Sequence, residues 1–337
     1  MNPNHARMNM TNHTKATSSP PTLGPGIFGA ARLLLLGLAG GILISGCGPT
    51  FDPASLIEKT RVLGARIEVA GAPERASPGP GETANVTWLI TSPDATPPLR
   101  WTFAVCMPGN GSLTCDSVPL ALFAGTDTPP RIAFPVPGLD ALGGAKTVIV
   151  YGQLCTGVES MPIFDPRHGV PSCTAGGGTT VSVSVPLQLG DDANRNPIAD
   201  RAFTFDGQAW PGSAATDDPC VSGPTAIAGS KDHVIGNTTD GSDREGYTAL
   251  VGAPPVATPA RESLEISQFT TAGELKSQFS FVEATNNDAS TTLDVKWEAP
   301  EAAEVPATGL AVTFTFVVRD NRGGTDWTTR AACVTRS

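Results

Sequence analysis

The chain has 337 residues, with 22 Lys and Arg against 32 Asp and Glu, and its formal net charge is −10. This acidic balance argues against a nucleic-acid partner, which selects for basic patches. Gly (37) and Pro (31) are frequent and charged residues make up only 16% of the chain, so many short strands joined by turns are predicted rather than long helices. The length is enough for two ordinary domains.

The amino-terminal segment carries a targeting pattern. Residues 1–32 are polar and contain no acidic residue, and an apolar run then extends from Leu33 to Ile44. The run is short for a spanning helix, which needs about 20 residues, and is typical of the apolar region of a signal peptide. It closes with the tetrapeptide Ile44-Ser45-Gly46-Cys47.

This ending resembles the lipobox of bacterial lipoproteins, in which an aliphatic residue and two small residues precede a cysteine. The resemblance implies cleavage between Gly46 and Cys47 and transfer of a diacylglyceryl group to the Cys47 thiol. The membrane is then a partner through acyl chains on Cys47, since two or three chains bind stably where one binds only marginally. By the sorting rule of enteric bacteria, Gly48 favours the outer membrane. The alternative is an uncleaved anchor with an incidental cysteine.

Six further cysteines are best interpreted as disulfides. An even number of cysteines in an exported chain favours disulfides. Zinc is disfavoured because no C-x-x-C motif occurs and the chain after Cys47 holds only two histidines, His168 and His233. Six cysteines allow 15 pairings, so the sequence alone leaves the connectivity open. The favoured pairs are Cys106–Cys115, Cys155–Cys173 and Cys220–Cys333.

Strand candidates in the first half of the chain are separated by turn-rich segments. In the third candidate, Trp101, Phe103 and Val105 share one face by the period of two. About seven short strands at such spacing are typical of a β-sandwich. The candidates are residues 61–70, 84–90, 100–106, 120–123, 131–136, 146–154 and 179–187.

The opening RVLGARIEVAGAPERASPGPGE, followed by a Trp-containing strand that ends in Cys106, resembles immunoglobulin-like modules of predicted myxobacterial lipoproteins. The antibody signature is not met, because the second strand has no cysteine and Tyr151 precedes Cys155 by four residues rather than two. The resemblance therefore implies a sandwich without the antibody-type core disulfide.

The second half shows its core pattern late. A strand at residues 201–205 is followed by a Gly/Pro/Asp-rich stretch to about residue 260, and a final hairpin turns at residues 320–324. Trp327 and Cys333 share a face, which predicts an inward disulfide. The last 45 residues or so resemble immunoglobulin-like or PKD-type extracellular modules. The predicted core residues are Leu264, Ile266, Phe269, Phe279, Phe281, Leu293, Val295, Trp297, Val312, Phe314, Phe316 and Val318.

Candidate binding residues are few. Asp192, Asn194 and Asn196 have the opening spacing of a calcium loop, but Pro197 stands where that loop needs glycine, and the alternative is a polar linker. Trp210, in GQAWPG, is the candidate for a surface aromatic that stacks on sugar rings.

Candidate catalytic residues are equally sparse. His168 and His233 are possible general bases outside any recognisable nucleophile motif. Asp240, Asp243 and Glu245 form an acidic loop that is interpreted as a solvated turn. No catalytic residue, metal site or cofactor is predicted.

Together these patterns predict an all-β protein with two immunoglobulin-like antiparallel β-sandwich domains. The predicted segments are a signal peptide over residues 1–46, a lipidated tether over 47–59, and sandwiches over 60–189 and 190–337. The expected function is a non-catalytic binding or structural module of the cell envelope, with an envelope protein or polysaccharide as partner. The alternatives are a carbohydrate- or calcium-binding adhesin-like protein and an envelope enzyme with an unrecognised site.

Overall fold

The computed structural model describes residues 53–336 apart from several short gaps. Four predicted site residues, Gly46, Cys47, His168 and Asp192, lie outside the described residues. The gaps are residues 110–111, 116–117, 158, 161, 164–171, 175–177, 191–193 and 213–217.

The described residues are almost entirely β-structure, as predicted, and the first eleven strands precede the predicted boundary at residues 189–190. One short helix, α1 (Leu139–Leu142), lies among them. The strands are β1 (Arg61–Val69), β2 (Thr83–Thr91), β3 (Leu99–Cys106), β4 (Pro108–Gly109), β5 (Ser112–Cys115), β6 (Ala121–Gly125), β7 (Arg131–Pro135), β8 (Thr147–Thr156), β9 (Pro162–Ile163), β10 (Ser172–Cys173) and β11 (Thr180–Gln188).

Twelve strands follow the boundary. A four-residue helix, α2 (Pro219–Ser222), and a 3₁₀ turn at Gly241–Asp243 accompany them. The strands are β12 (Ala202–Phe205), β13 (Gln208–Ala209), β14 (Thr225–Ile227), β15 (His233–Asp240), β16 (Gly246–Val251), β17 (Val256–Arg261), β18 (Leu264–Thr270), β19 (Glu274–Leu275), β20 (Phe279–Val282), β21 (Ser290–Glu298), β22 (Leu310–Asp320) and β23 (Thr325–Thr335).

The first sandwich packs the sheet β1-β2-β7 against the sheet β11-β8-β3-β6, and all its strand pairs are antiparallel. Alternate residues of each strand face the core, and Trp88 stacks on Phe103 across the two sheets with ring centroids 4.1 Å apart. Gly152 lies beside Phe103 in the register. A Cβ at Gly152 would lie 2.2 Å from the Thr102 carbonyl oxygen, so the strands need glycine there.

The second sandwich packs the sheet β13-β12-β15-β21-β19 against the sheet β14-β23-β22-β18-β20. Val312, Phe314, Phe316 and Val318 of β22 point into its core, as predicted. No strand was assigned within the Gly/Pro/Asp-rich stretch from the sequence. This stretch contains β15, a central strand paired with both β12 and β21.

Three predicted core residues face elsewhere. Phe279 and Phe281 are 42% and 54% exposed, because the edge strand β20 turns Val282 inward instead. Phe269 is buried, but it lies on the outer face of its sheet with Val317, Leu63 and Ile57 rather than in the second core.

The two sandwiches contact each other through this cluster and through buried amides. The cluster joins Leu63 of the first sandwich to Val317 of the second, with Trp327 packed against it. Asn196 bridges the two as well: its Nδ2 donates to the Ile67 carbonyl at 2.7 Å, and its Oδ1 accepts from the Thr325 N–H at 3.0 Å. The outer face of the β18–β22–β23 sheet is therefore partly covered by the first sandwich.

Candidate functional site

Three disulfides brace the described residues, and they are the pairs that the sequence favoured. Cys106–Cys115, Cys155–Cys173 and Cys220–Cys333 have Cα separations of 5.5, 5.8 and 4.7 Å, within the normal range. Such bonds form and persist in oxidising compartments, so the chain belongs outside the reducing cytoplasm.

The orientation of the last disulfide differs from the prediction. In β22 and β23, residues that face the core alternate with residues that face outward, and Ala332 and Val334 take the inward positions. Cys333 therefore lies on the outer face, where its side chain is buried and reaches Cys220 of α2. Trp327 shares that outer face and packs between the sandwiches.

The segment that follows the predicted acylation site is clamped to the second sandwich. The Ile57 N–H donates to the Thr270 carbonyl at 2.8 Å, and the Thr270 N–H donates to the Ser55 carbonyl at 2.9 Å. The Ile57 side chain is 1% exposed. The end of the predicted tether, Ser55 to Ile57, is therefore attached to the second sandwich.

His233 stands in a Ser–His–Asp arrangement. Its Nδ1 lies 2.7 Å from Asp206 Oδ2, and its Nε2 lies 2.6 Å from Ser230 Oγ. The imidazole ring packs against Phe205 and Trp297, which limits the side-chain exposure to 15%. Distances of this kind join nucleophile, base and orienting acid in serine hydrolases.

The elements around His233 hold each group in place. Asp206 has a left-handed backbone (φ 51°) in the turn between β12 and β13, and its Oδ1 accepts from the Val234 N–H at 2.8 Å. Ser230 also donates to the Ile227 carbonyl. Because the Ser230 hydroxyl has one proton, it donates either to Ile227 or to His233, and only the second arrangement activates the oxygen as a nucleophile.

Trp210 is not the surface aromatic that the sequence suggested. It is 2% exposed, donates from Nε1 to the Ala331 carbonyl at 3.0 Å, and makes edge contacts with Phe205 and Phe314. The side chain is part of the second core, so it presents no face to a sugar.

Asn194 and Asn196 serve the contact between the sandwiches rather than a shared loop site. Asn194 Nδ2 donates to Ser77 Oγ at 2.7 Å and to the Arg322 carbonyl at 3.1 Å. Both side chains are buried. In the part of the chain that the structure describes, no group of three or more His, Cys, Asp or Glu residues could hold a metal ion.

The acidic loop is more structured than a solvated turn. Asp240 caps the 3₁₀ turn by accepting from the Ser242 N–H, and this bond and the Ser242 hydroxyl lower the pKa of Asp240. Asp243 is buried and pairs with Arg201. Glu245 accepts from the Arg195 N–H at 3.0 Å.

Next to this loop are two buried carboxylates, Glu262 and Asp320, that no sequence motif singles out. Glu262 is 1% exposed and pairs with Arg322 Nη1 at 2.8 Å, and burial raises its pKa to about 7. Asp320 accepts from the N–H groups of Arg322 and Gly324 through Oδ1, and burial raises its pKa to about 6. Asp320 Oδ2 has no hydrogen-bond partner among the described residues.

No protein-family model matches the chain, and no curated protein matches it. Over the described residues, none of the helices has the length and apolar character that crossing a bilayer requires.

Proposed function

We propose that this protein is a bacterial lipoprotein of the cell envelope, held by acyl chains on Cys47, whose β-sandwiches serve as non-catalytic binding or structural modules. The observation that carries the proposal is the apolar run from Leu33 that ends in Ile44-Ser45-Gly46-Cys47. The three disulfides support it, because they require an oxidising compartment.

The physical role of the anchor follows from acyl-chain energetics. Each buried methylene contributes about 0.8 kcal/mol, so two or three chains retain a globular protein that has no affinity of its own for lipid. Gly48 favours the outer membrane as the destination. The partner is then another envelope component, either a protein or a polysaccharide.

The test is Cys47→Ser in the full chain. We expect the wild-type protein in the membrane fraction, with an acylated amino-terminal cysteine in its mass spectrum. The Cys47→Ser chain should keep its signal peptide and lose the acyl group. Ser45→Ala is the matched control, because alanine is also small, and it should be processed normally. An unprocessed wild-type chain, or a Cys47→Ser chain of mature size in the membrane fraction, would contradict the proposal.

A second candidate function is hydrolysis of an ester or amide, and the Ser230–His233–Asp206 geometry favours it. In this reaction Ser230 Oγ would attack the carbonyl carbon while its proton passes to His233 Nε2, and Asp206 would hold the imidazole. The leaving group would then take that proton as it departs. The structure gives this candidate less support, since Ile227 competes for the Ser230 proton.

A fluorophosphonate probe separates the two functions. It reacts with activated serines by forming an O–P bond and releasing fluoride. Hydrolysis predicts labelling of Ser230 that disappears in Ser230→Ala and in His233→Ala, and that persists in the control Ser242→Ala. Absence of labelling in the folded wild-type protein removes the second candidate.

A further inference from the structure

A cleft of about 490 Å³ lies between the two sandwiches, beside the cluster that joins them. One wall is the end of β2 with the loop after it, and the other is the outer face of β22 and β23. The volume falls in the range of small-molecule sites. Seven of the thirteen lining residues carry a hydroxyl group: Thr91, Ser92, Thr96, Thr271, Thr313, Thr315 and Thr329.

Two of these hydroxyls are buried without a partner. Thr315 is 1% exposed, and its Oγ1 has no hydrogen-bond partner among the described residues. Thr91 Oγ1, on the opposite wall, is also buried and has no hydrogen-bond partner among the described residues. A buried hydroxyl that makes no hydrogen bond loses its contacts with water and gains nothing in return, so it destabilises the fold.

The fold gives no reason for a hydroxyl at position 315. Thr315 lies between Phe269 and Thr329 in the sheet register and shares the outer face with Val317, and none of these residues bonds to its hydroxyl. Valine has nearly the same shape as threonine and would fill the position without an unpaired hydroxyl. The free-energy cost of burying the unpaired Thr315 hydroxyl is therefore explained if this hydroxyl bonds to a molecule that enters the cleft.

The lining defines the chemistry of that molecule. Among the described lining residues there is no Lys or Arg and Asp94 is the one acidic residue, so these residues offer neither an anion nor a metal ion its usual ligands. Hydroxyls donate and accept, which matches the hydroxyls of a sugar. Leu89, which is half-buried, and Pro93, which is exposed, offer apolar surface for the C–H face of a ring.

From these observations we infer that the cleft between the sandwiches binds a neutral, hydroxyl-rich ligand, a short uncharged oligosaccharide. The inference goes beyond the proposed function and does not depend on acylation, because the residues that carry it, Thr91 and Thr315, belong to the sandwiches and not to the acylated segment. The inference and the proposed function can therefore fail independently. Binding is measured on the purified full chain in mild detergent, whichever cell fraction the chain came from.

The decisive variant is Thr315→Val, with Thr248→Val as its matched control. Thr248 is an exposed threonine of β16, far from the cleft lining. The probes are immobilised neutral oligosaccharides of hexoses and N-acetylhexosamines, followed by calorimetry on any that bind. We expect wild type and Thr248→Val to bind alike and Thr315→Val to bind at least fivefold more weakly, with an unchanged or higher melting temperature.

Stability and affinity together decide between a ligand role and a structural role. A lower melting temperature for Thr315→Val would mean that the hydroxyl supports the fold, for instance through an internal water, and would overturn the inference. Full affinity in Thr315→Val, or the absence of binding to every neutral probe, would overturn it too. Preferential binding of acidic oligosaccharides would refute the neutral class of ligand.

Discussion

Asp320 makes the stability of this protein depend on pH. Asp320→Asn should remove the contribution of this carboxylate to that dependence. The side chain is buried, its Oδ1 accepts two backbone N–H groups, and its Oδ2 has no partner among the described residues. Burial raises the pKa from the ordinary 3.8 to about 6. Asparagine keeps the acceptor at Oδ1 and removes the buried charge.

The magnitude follows from proton linkage. Because the folded-state pKa lies above the unfolded one, the folded protein is favoured most below about pH 4, and this advantage is lost as the pH rises through 6. The rise in pKa corresponds to about 3 kcal/mol at pH 8 and about 0.5 kcal/mol at pH 4. Asp320→Asn should raise the free energy of unfolding by about these amounts.

The assay is denaturant unfolding at pH 4 and pH 8, with disulfides intact. Glu262 adds a cost of the same sign that grows as the pH rises through 7. Glu262 is present in wild type and variant alike, so the comparison of the two isolates Asp320. Asp294→Asn, an exposed residue of β21, is the control and should change little. An Asp320→Asn variant no more stable than wild type at pH 8 would refute the reasoning.

Three further predictions concern the fold. Reduction of the Cys220–Cys333 bond, or Cys220→Ser with Cys333→Ser, should lower the free energy of unfolding by about 4–5 kcal/mol, because the bond closes a loop of 113 residues. Chemical denaturation measures this loss, and a loss below about 1 kcal/mol contradicts the argument from loop closure. Trp210→Ala should lower the free energy of unfolding by about 3–5 kcal/mol, since the ring is buried; a surface position would give almost no change in the same assay. Asn196→Ala should lower the free energy of unfolding by about 2–3 kcal/mol, because it leaves buried backbone groups of both sandwiches unpaired; increased hydrogen exchange at the Thr325 N–H would locate the effect, and unchanged exchange there would contradict it.

The sequence predicted strands well where large apolar residues alternate with polar ones. Val312, Phe314, Phe316 and Val318 are an example, since a period of two places them on one face whatever the partner strand is. β15 escaped prediction because its buried face carries Asn237 and Thr239 beside a single large apolar residue, Ile235.

The side of the sheet to which a single aromatic side chain points depends on contacts with residues that are distant in the sequence. Phe279 and Phe281 are exposed because β20 is an edge strand whose register turns Val282 inward. Phe269 packs outward because the first sandwich covers that face. No local pattern encodes either fact.

The same limit applies to the functional candidates. Ser230, His233 and Asp206 meet only when β12 pairs with β15 and brings the turn after β12 beside the imidazole. The cleft exists only because two sandwiches meet, so its hydroxyls are spread from Thr91 to Thr329 in the chain. The cysteine pairs, by contrast, could be predicted: Cys106–Cys115 and Cys155–Cys173 from the predicted strand ends, and Cys220–Cys333 from the predicted domain boundary.

The hydrogen bonds of Ser55 and Ile57 to the second sandwich also limit the distance between the sandwiches and the membrane. In the proposed lipoprotein, only eight positions separate the acylated Cys47 from Ser55, and a stretch of that length spans at most about 28 Å when fully extended. The sandwiches of such a molecule are held close to the membrane. They sample a thin layer next to the lipid headgroups, so any encounter with a distant envelope component depends on that component coming within this layer.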